Sequence, residues 1–181
     1  WRPRKLRALK HEVVSLTDMG IYGPVLRAAG VTVHALHLKG IADFLPALIQ
    51  LRRHIRAATP DPIQSWLYHA DFFALLTAAL AQRHRPLVWN LRCSDMDLTR
   101  YAWTTRPLSK VLARLSRYPN AVIANSQAGR DWHARAGCRP RRWQVIPNGF
   151  DTDKLAPDPG ARARVRARLG LRRIPLAVQR V

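Results

Sequence analysis

Six short apolar runs punctuate the chain, and each is closed by turn residues before a segment of helical spacing begins. The runs are His11 to Leu16, Val31 to Leu38, Ile63 to Tyr68, Pro86 to Leu91, Ala121 to Ala124 and Arg142 to Ile146. Their length and their valine, isoleucine and tryptophan content read as strands. Between them, Tyr22 to Ala29 places Val25, Leu26 and Ala29 at helical spacing, and Gly30 stands where a helix ends. From about Asp43 to Ala57, Phe44, Leu45, Leu48 and Ile55 share a face, with Arg52, Arg53 and Arg56 off it. Asp43 is the expected N-cap, and Pro46 is tolerated only in the first turn. Ala70 to Gln82 is apolar and alanine-rich, the mark of a buried helix. Pro107 opens another, with Leu108, Val111, Leu112 and Leu115 as its core stripe and Arg106, Lys110, Arg114 and Arg117 on its opposite flank. Asn125-Ser126 caps a helix to Ala136, ended by Gly137. A last, arginine-studded helix, Ala161 to Arg168, follows Asp158 and Pro159. Strands alternating with helices imply βαβ units. The fold expected is α/β, a Rossmann-like parallel sheet with helices on both faces.

The pattern changes character near residue 150. Val145-Ile146 stops at Pro147, and Asn148-Gly149 then supplies a sharp turn, since both residues tolerate positive φ. The stretch Val-Ile-Pro-Asn-Gly-Phe-Asp, with Asn125-Ser126 upstream and Pro157, Arg162, Arg166 and Leu169-Gly170-Leu171 downstream, resembles the interdomain crossover of family-4 glycosyltransferases. The resemblance implies the GT-B architecture of two Rossmann-like domains facing a cleft. Residues 1–149 would be the acceptor-side domain, without its first strand and glycine-rich loop. Residues 150–181 would be the crossover and the beginning of a donor-binding domain. The activity implied is retaining transfer of a sugar from a nucleotide-sugar to a glycan or lipid-linked acceptor, in polysaccharide biosynthesis. A fragment truncated at both ends is expected to be inactive alone, because the family holds the nucleotide-sugar mostly in the other domain. No metal or other cofactor is implied, since the family uses a helix dipole and basic side chains to stabilise the departing diphosphate.

Charge modifies this picture. Lys and Arg number 31 against 11 Asp and Glu, a formal net charge of +20. Such an excess speaks about partners rather than fold. It suits phosphorylated substrates, the anionic inner face of a membrane, or nucleic acid. The arginines are scattered rather than gathered in one stripe with interleaved aromatics, which disfavours nucleic acid. A basic, non-enzymatic α/β domain binding nucleic acid or anionic surfaces remains the alternative. Cys93 and Cys138 are the only cysteines, too few and too isolated for a disulfide framework or a zinc site. They read as inert thiols in a reducing cytoplasm. No apolar run is long enough to span a bilayer, and no leader pattern opens the chain. The location expected is cytoplasmic, or peripheral to the inner face of the membrane.

Open parallel sheets bind ligands beyond the carboxyl ends of their strands. That rule selects Thr17-Asp18, Tyr68-His69, the polar loop from Arg92 to Asp97, Asn125-Ser126 and Asn148-Gly149. His69 could hydrogen-bond a sugar hydroxyl or phosphate, or simply pack on neighbouring aromatics. Arg92 offers a bidentate donor to phosphate or carboxylate, and Ser94 and Asp95 suit sugar hydroxyls. The plainer reading of that loop is local ion pairing in solvent. The resemblance adds that a polar residue at the end of this strand contacts ligand, and that position is Arg92. Asn125 and Ser126 could be purely a helix cap, yet a helix N-terminus at this edge also attracts anions. Asn148 and Gly149 are more hinge than contact. No catalytic residue can be named. The histidines show no metal-ligand spacing, and no Ser-His-Asp set, P-loop or GxGxxG is present.

Overall fold

A computed structural model describes residues 9–81, 85–93, 105–153 and 155–170. The elements are β1 (Glu12–Ser15), α1 (Tyr22–Ala28), β2 (Thr32–Ala35), a 3₁₀ turn (Ile41–Asp43), α2 (Phe44–Ala58), β3 (Ile63–Trp66), α3 (Tyr68–Ala79), β4 (Leu87–Leu91), α4 (Thr105–Leu115), β5 (Ala121–Ala124), α5 (Gln127–Arg135), β6 (Trp143–Val145) and α6 (Ala161–Arg168). Each expected strand and helix is therefore present among the described residues. The fold is α/β and Rossmann-like, with parallel sheets flanked by helices.

Among the described residues all strand pairings are parallel, and they form two sheets. β1 pairs with β2, and β3, β4, β5 and β6 pair in sequence order. In the larger sheet Trp66 lies opposite Asn90, Asn90 opposite Ile123, and Ile123 opposite Gln144. Parallel neighbours joined in sequence require crossovers, and their right-handedness puts α3, α4 and α5 on one face. Alternation along β4 then decides what that face buries. Leu87, Trp89 and Leu91 point into a core with Val122, Leu112 and Ala74. A second core gathers Leu36 after β2, Ala47, Leu48 and Leu51 of α2, and Phe73 of α3. α3 contributes to both, which is why its sequence is apolar nearly all round.

Two local expectations are corrected. The run Ile63 to Tyr68 is not strand throughout: β3 stops at Trp66, and Tyr68 and His69 open α3. The corner between them is Leu67, with φ 70° and ψ 162°, a conformation that L side chains rarely adopt and that costs about 1–3 kcal/mol. Asp43 does not cap α2 through its side chain. Its Oδ2 instead accepts from the N–H of Lys39 at 2.9 Å and of Gly40 at 3.0 Å, closing the 3₁₀ turn before the helix. The stop residues behave as expected. Gly30 and Gly137 follow α1 and α5 with φ 82° and 99°, the left-handed termination that favours glycine.

Backbone contacts divide the chain into two compact units, Arg2–Asn148 and Gly149–Val181. In the second, the Gly160 N–H donates to Asp158 Oδ1 at 2.9 Å, and Asp158 also pairs with Arg164. The Arg164 guanidinium holds the Asp158 carboxyl below its usual range. α6 has no buried residue. Among the described residues no helix is long and apolar enough to cross a membrane, and no group of three or more His, Cys, Asp or Glu could hold a metal ion.

Candidate functional site at the carboxyl edge of the sheet

β4, β5 and β6 end side by side, and the residues that follow them form a row. Arg92 follows β4, Asn125 follows β5, and Asn148 lies beyond β6. Arg92 Nη1 donates to Asn148 Oδ1 at 2.6 Å. Asn125 Nδ2 reaches the Arg92 carbonyl at 3.5 Å, a long and weak bond. Parallel register makes this row possible, because it brings residues of like position after each strand to one rim. A guanidinium carries five N–H donors, and Asn148 engages one of them.

The other candidates fall in different settings. Ser126 Oγ accepts the Gly129 N–H at 3.0 Å and is the N-cap of α5. His69 is exposed in the first turn of α3, after the larger sheet's first strand. Ser94 and Asp95 lie outside the described residues, as does Asp97. Gly149 has open space around its Cα and no left-handed φ. The sharp turn expected at Asn148-Gly149 is not formed: residues 146–150 show neither turn nor bend, and neither residue takes the positive φ that its type would permit.

Behind the row stands a buried support that sequence reasoning did not assemble. His133 of α5 lies 3.0 Å through Nε2 from the Cys93 carbonyl. A carbonyl only accepts, so Nε2 carries the proton. Burial lowers the His133 pKa, which keeps the ring neutral. Its ring meets Trp132 and Tyr68 edge-on, at 4.8 and 6.2 Å between centroids. The Cys93 thiol lies 3.9 Å from the Tyr68 hydroxyl, and burial raises the pKa of both groups. Neither is ionised at neutral pH. The His133 bond tethers the backbone of Cys93, the residue next to Arg92. Cys93 and His133 are 40 positions apart, and the only signal that could have linked them was their place after β4 and on the next helix but one.

A parallel α/β sheet with a polar row at its carboxyl rim is the arrangement of nucleotide- and sugar-handling Rossmann-like domains. The sequence model of Glycosyltransferase Family 4 matches residues 4–154, and the chain belongs to that family; the domain is of the GT-B type. A stretch of 77 residues is 36% identical to the GDP-mannose-dependent alpha-(1-6)-phosphatidylinositol monomannoside mannosyltransferase of Mycolicibacterium smegmatis, covering 42% of this chain and 20% of that enzyme. The fold is similar to that of Anabaena HepE, solved in complex with UDP and glucose. The TM-score is 0.64 and the identity 21%, over 90% of this chain and 50% of HepE. The chain thus spans half or less of the proteins it matches.

Proposed function

We propose that this chain is the acceptor-side domain and crossover of a retaining glycosyltransferase. It would act with a nucleotide-sugar donor and a glycan or lipid-linked acceptor in polysaccharide biosynthesis. The observation that carries the reading is the Arg92–Asn125–Asn148 row on a family-4 scaffold. Arg92 binds phosphate or carboxylate, and His69, Ser94 and Asp95 bind sugar hydroxyls. Asn125 and the α5 N-terminus capped by Ser126 hold the anionic part of the ligand. Asn148 and Gly149 are the hinge between residues 1–149 and the crossover at 150–181, so that two domains can close around substrate. The names of the relatives support a donor carrying a nucleoside diphosphate without selecting GDP-mannose or UDP-glucose. The nucleotide is held mostly by a second Rossmann-like domain, so these residues alone do not turn over substrate.

The chain works at the cytoplasmic face, in peripheral contact with anionic lipid. Arg106, Lys110 and Arg114 are exposed on α4, and each such charge contributes about 1 kcal/mol near an anionic surface. Arg117 falls just past the helix and stacks on Tyr118 instead, 5.1 Å from the ring centroid.

The test is amide NMR of the chain titrated with glucose 1-phosphate, mannose 1-phosphate, GDP-mannose and UDP-glucose. Saturable shifts centred on Arg92, Asn125 and Asn148, lost in Arg92→Ala, are expected. Shifts absent from that edge across the panel would remove the basis for the assignment. Turnover of either nucleotide-sugar by the isolated chain would refute the division of labour between domains.

A further inference from the structure

α2 is held on the small sheet by contacts of two kinds. Along the middle of the helix they are apolar: Leu48 and Leu51 are buried with Leu36, and Val14 and Ile55 pack against them. Toward its carboxyl end the contact is a pair of histidines. His54 of α2 and His34 of β2 stack with ring centroids 4.1 Å apart and planes inclined by 32°. Parallel register explains the meeting. His34 lies opposite Val14, so both side chains share the face that α2 covers. His54 comes three positions after Leu51, about one turn further along the same side of the helix. Both histidines are half-buried.

Charged neighbours set what the pair can hold. Glu12, two residues before Val14 on β1, lies within electrostatic reach of both rings. Its Oε1 is already engaged by Lys10 at 2.9 Å. Arg27 of α1 also reaches β2, but its Nη2 donates to the Val33 carbonyl at 3.0 Å. Burial, and then the charge of His34, hold the His54 pKa below its ordinary value, with Glu12 opposing. One proton on the pair is tolerated, because an imidazolium rests on a neutral ring and the Glu12 carboxylate attracts it. Two protons are not. Unit charges about 4 Å apart in water repel enough to shift an equilibrium about fivefold, and more where solvent is excluded. Histidine is the side chain that charges between about pH 5 and about pH 8, so the contact turns from stacking to repulsion within that range. A separated pair takes up both protons without this penalty. Acid therefore favours separation, and neutral pH favours the closed contact.

We propose that His34 and His54 form an acid-released clasp between β2 and the last turns of α2, closed while the pair holds at most one proton and open when it holds two. Leu48 and Leu51 keep the middle of the helix in place, so release is confined to residues 54–58. The clasp stands independently of the sugar-binding edge.

Two NMR measurements on the whole chain test this. The first follows the ring titrations of His34 and His54. In the wild type each ring should respond to the proton on the other, so both curves spread over a wider pH range than a single site gives. The His34 curve in His54→Gln, and the His54 curve in His34→Gln, should narrow to a single site. The second is amide exchange of residues 54–58, corrected for the intrinsic effect of pH. Protection should fall at least fivefold from about pH 7 to about pH 5 in the wild type and stay level in both variants. A variant that only loosens the helix lowers protection equally at every pH and leaves this contrast readable. Independent ring curves in the wild type would overturn the proposal. So would linked ring curves with level protection, or a loss of protection in acid that persists in either variant.

Discussion

Replacing Asp71 by Asn should remove a pH dependence from the stability of the protein. Asp71 is fully buried, and desolvation raises its pKa from 3.8 to about 8 against the opposing hydrogen bond from Ser65. The folded protein therefore keeps a proton on this carboxyl across a range where the unfolded chain has lost it. A raised folded-state pKa stabilises fully below the unfolded value and ceases to do so as pH rises through the folded value. Between those limits the wild type loses about 1.4 kcal/mol of stability per pH unit, or about 2.7 kcal/mol from about pH 5 to about pH 7. Asparagine has the same shape, still accepts from Ser65 and does not titrate. Tyr68, Cys93 and Cys138 are the titrating neighbours coupled to Asp71. All three are neutral in this window and unchanged by the substitution. Urea unfolding of both proteins at intervals from about pH 5 to about pH 9 gives the difference directly. The Asn variant should gain on the wild type steadily as pH rises and level off above about pH 8. Parallel curves, or a wild type that gains stability with pH, would show that Asp71 is ionised in the folded protein and would refute the reasoning.

Other substitutions probe separate parts of the fold. Leu112→Ala empties a side chain only 3% exposed in the main core and should cost about 2–5 kcal/mol in urea unfolding. Ser126→Ala removes the oxygen that accepts the Gly129 N–H, with an expected loss of about 1 kcal/mol and faster amide exchange in the first turn of α5. Gly137→Ala forces a methyl group onto a backbone at φ 99° and should lower the melting temperature by a cost of about 1–3 kcal/mol. An unchanged melting temperature would mean that the turn after α5 relaxes freely.

The six strands were legible because each apolar run is short, rich in β-branched residues or tryptophan and fenced by turn residues. The start of α3 was not. Leu67 carries no sequence signal for a left-handed backbone, so Ile63 to Tyr68 reads as continuous strand although the chain turns a corner inside it. Asp43 has the right type for a cap, but a 3₁₀ turn captures its carboxylate first. Asn148-Gly149 has the composition of a left-handed turn and does not adopt one. The candidate rim followed from strand ends alone. What could not be read was which rim residues touch, since Arg92 and Asn148 are 56 positions apart. The Ser65–Asp71 bond spans that same Leu67 corner, and only the folded corner brings the two together.

The sharing of α3 between two cores has a consequence for how the protein breathes. Among the described residues the two sheets exchange no backbone hydrogen bonds, so they could in principle open separately. α3 prevents this, because Phe73 is embedded in one core and the adjacent Ala74 in the other. Detaching either sheet strips one side of the same helix. Amides of α3 should therefore exchange only through global unfolding, and a denaturant titration should show one cooperative transition for both sheets. The helix acts as the axle on which the two halves of this unit turn over together.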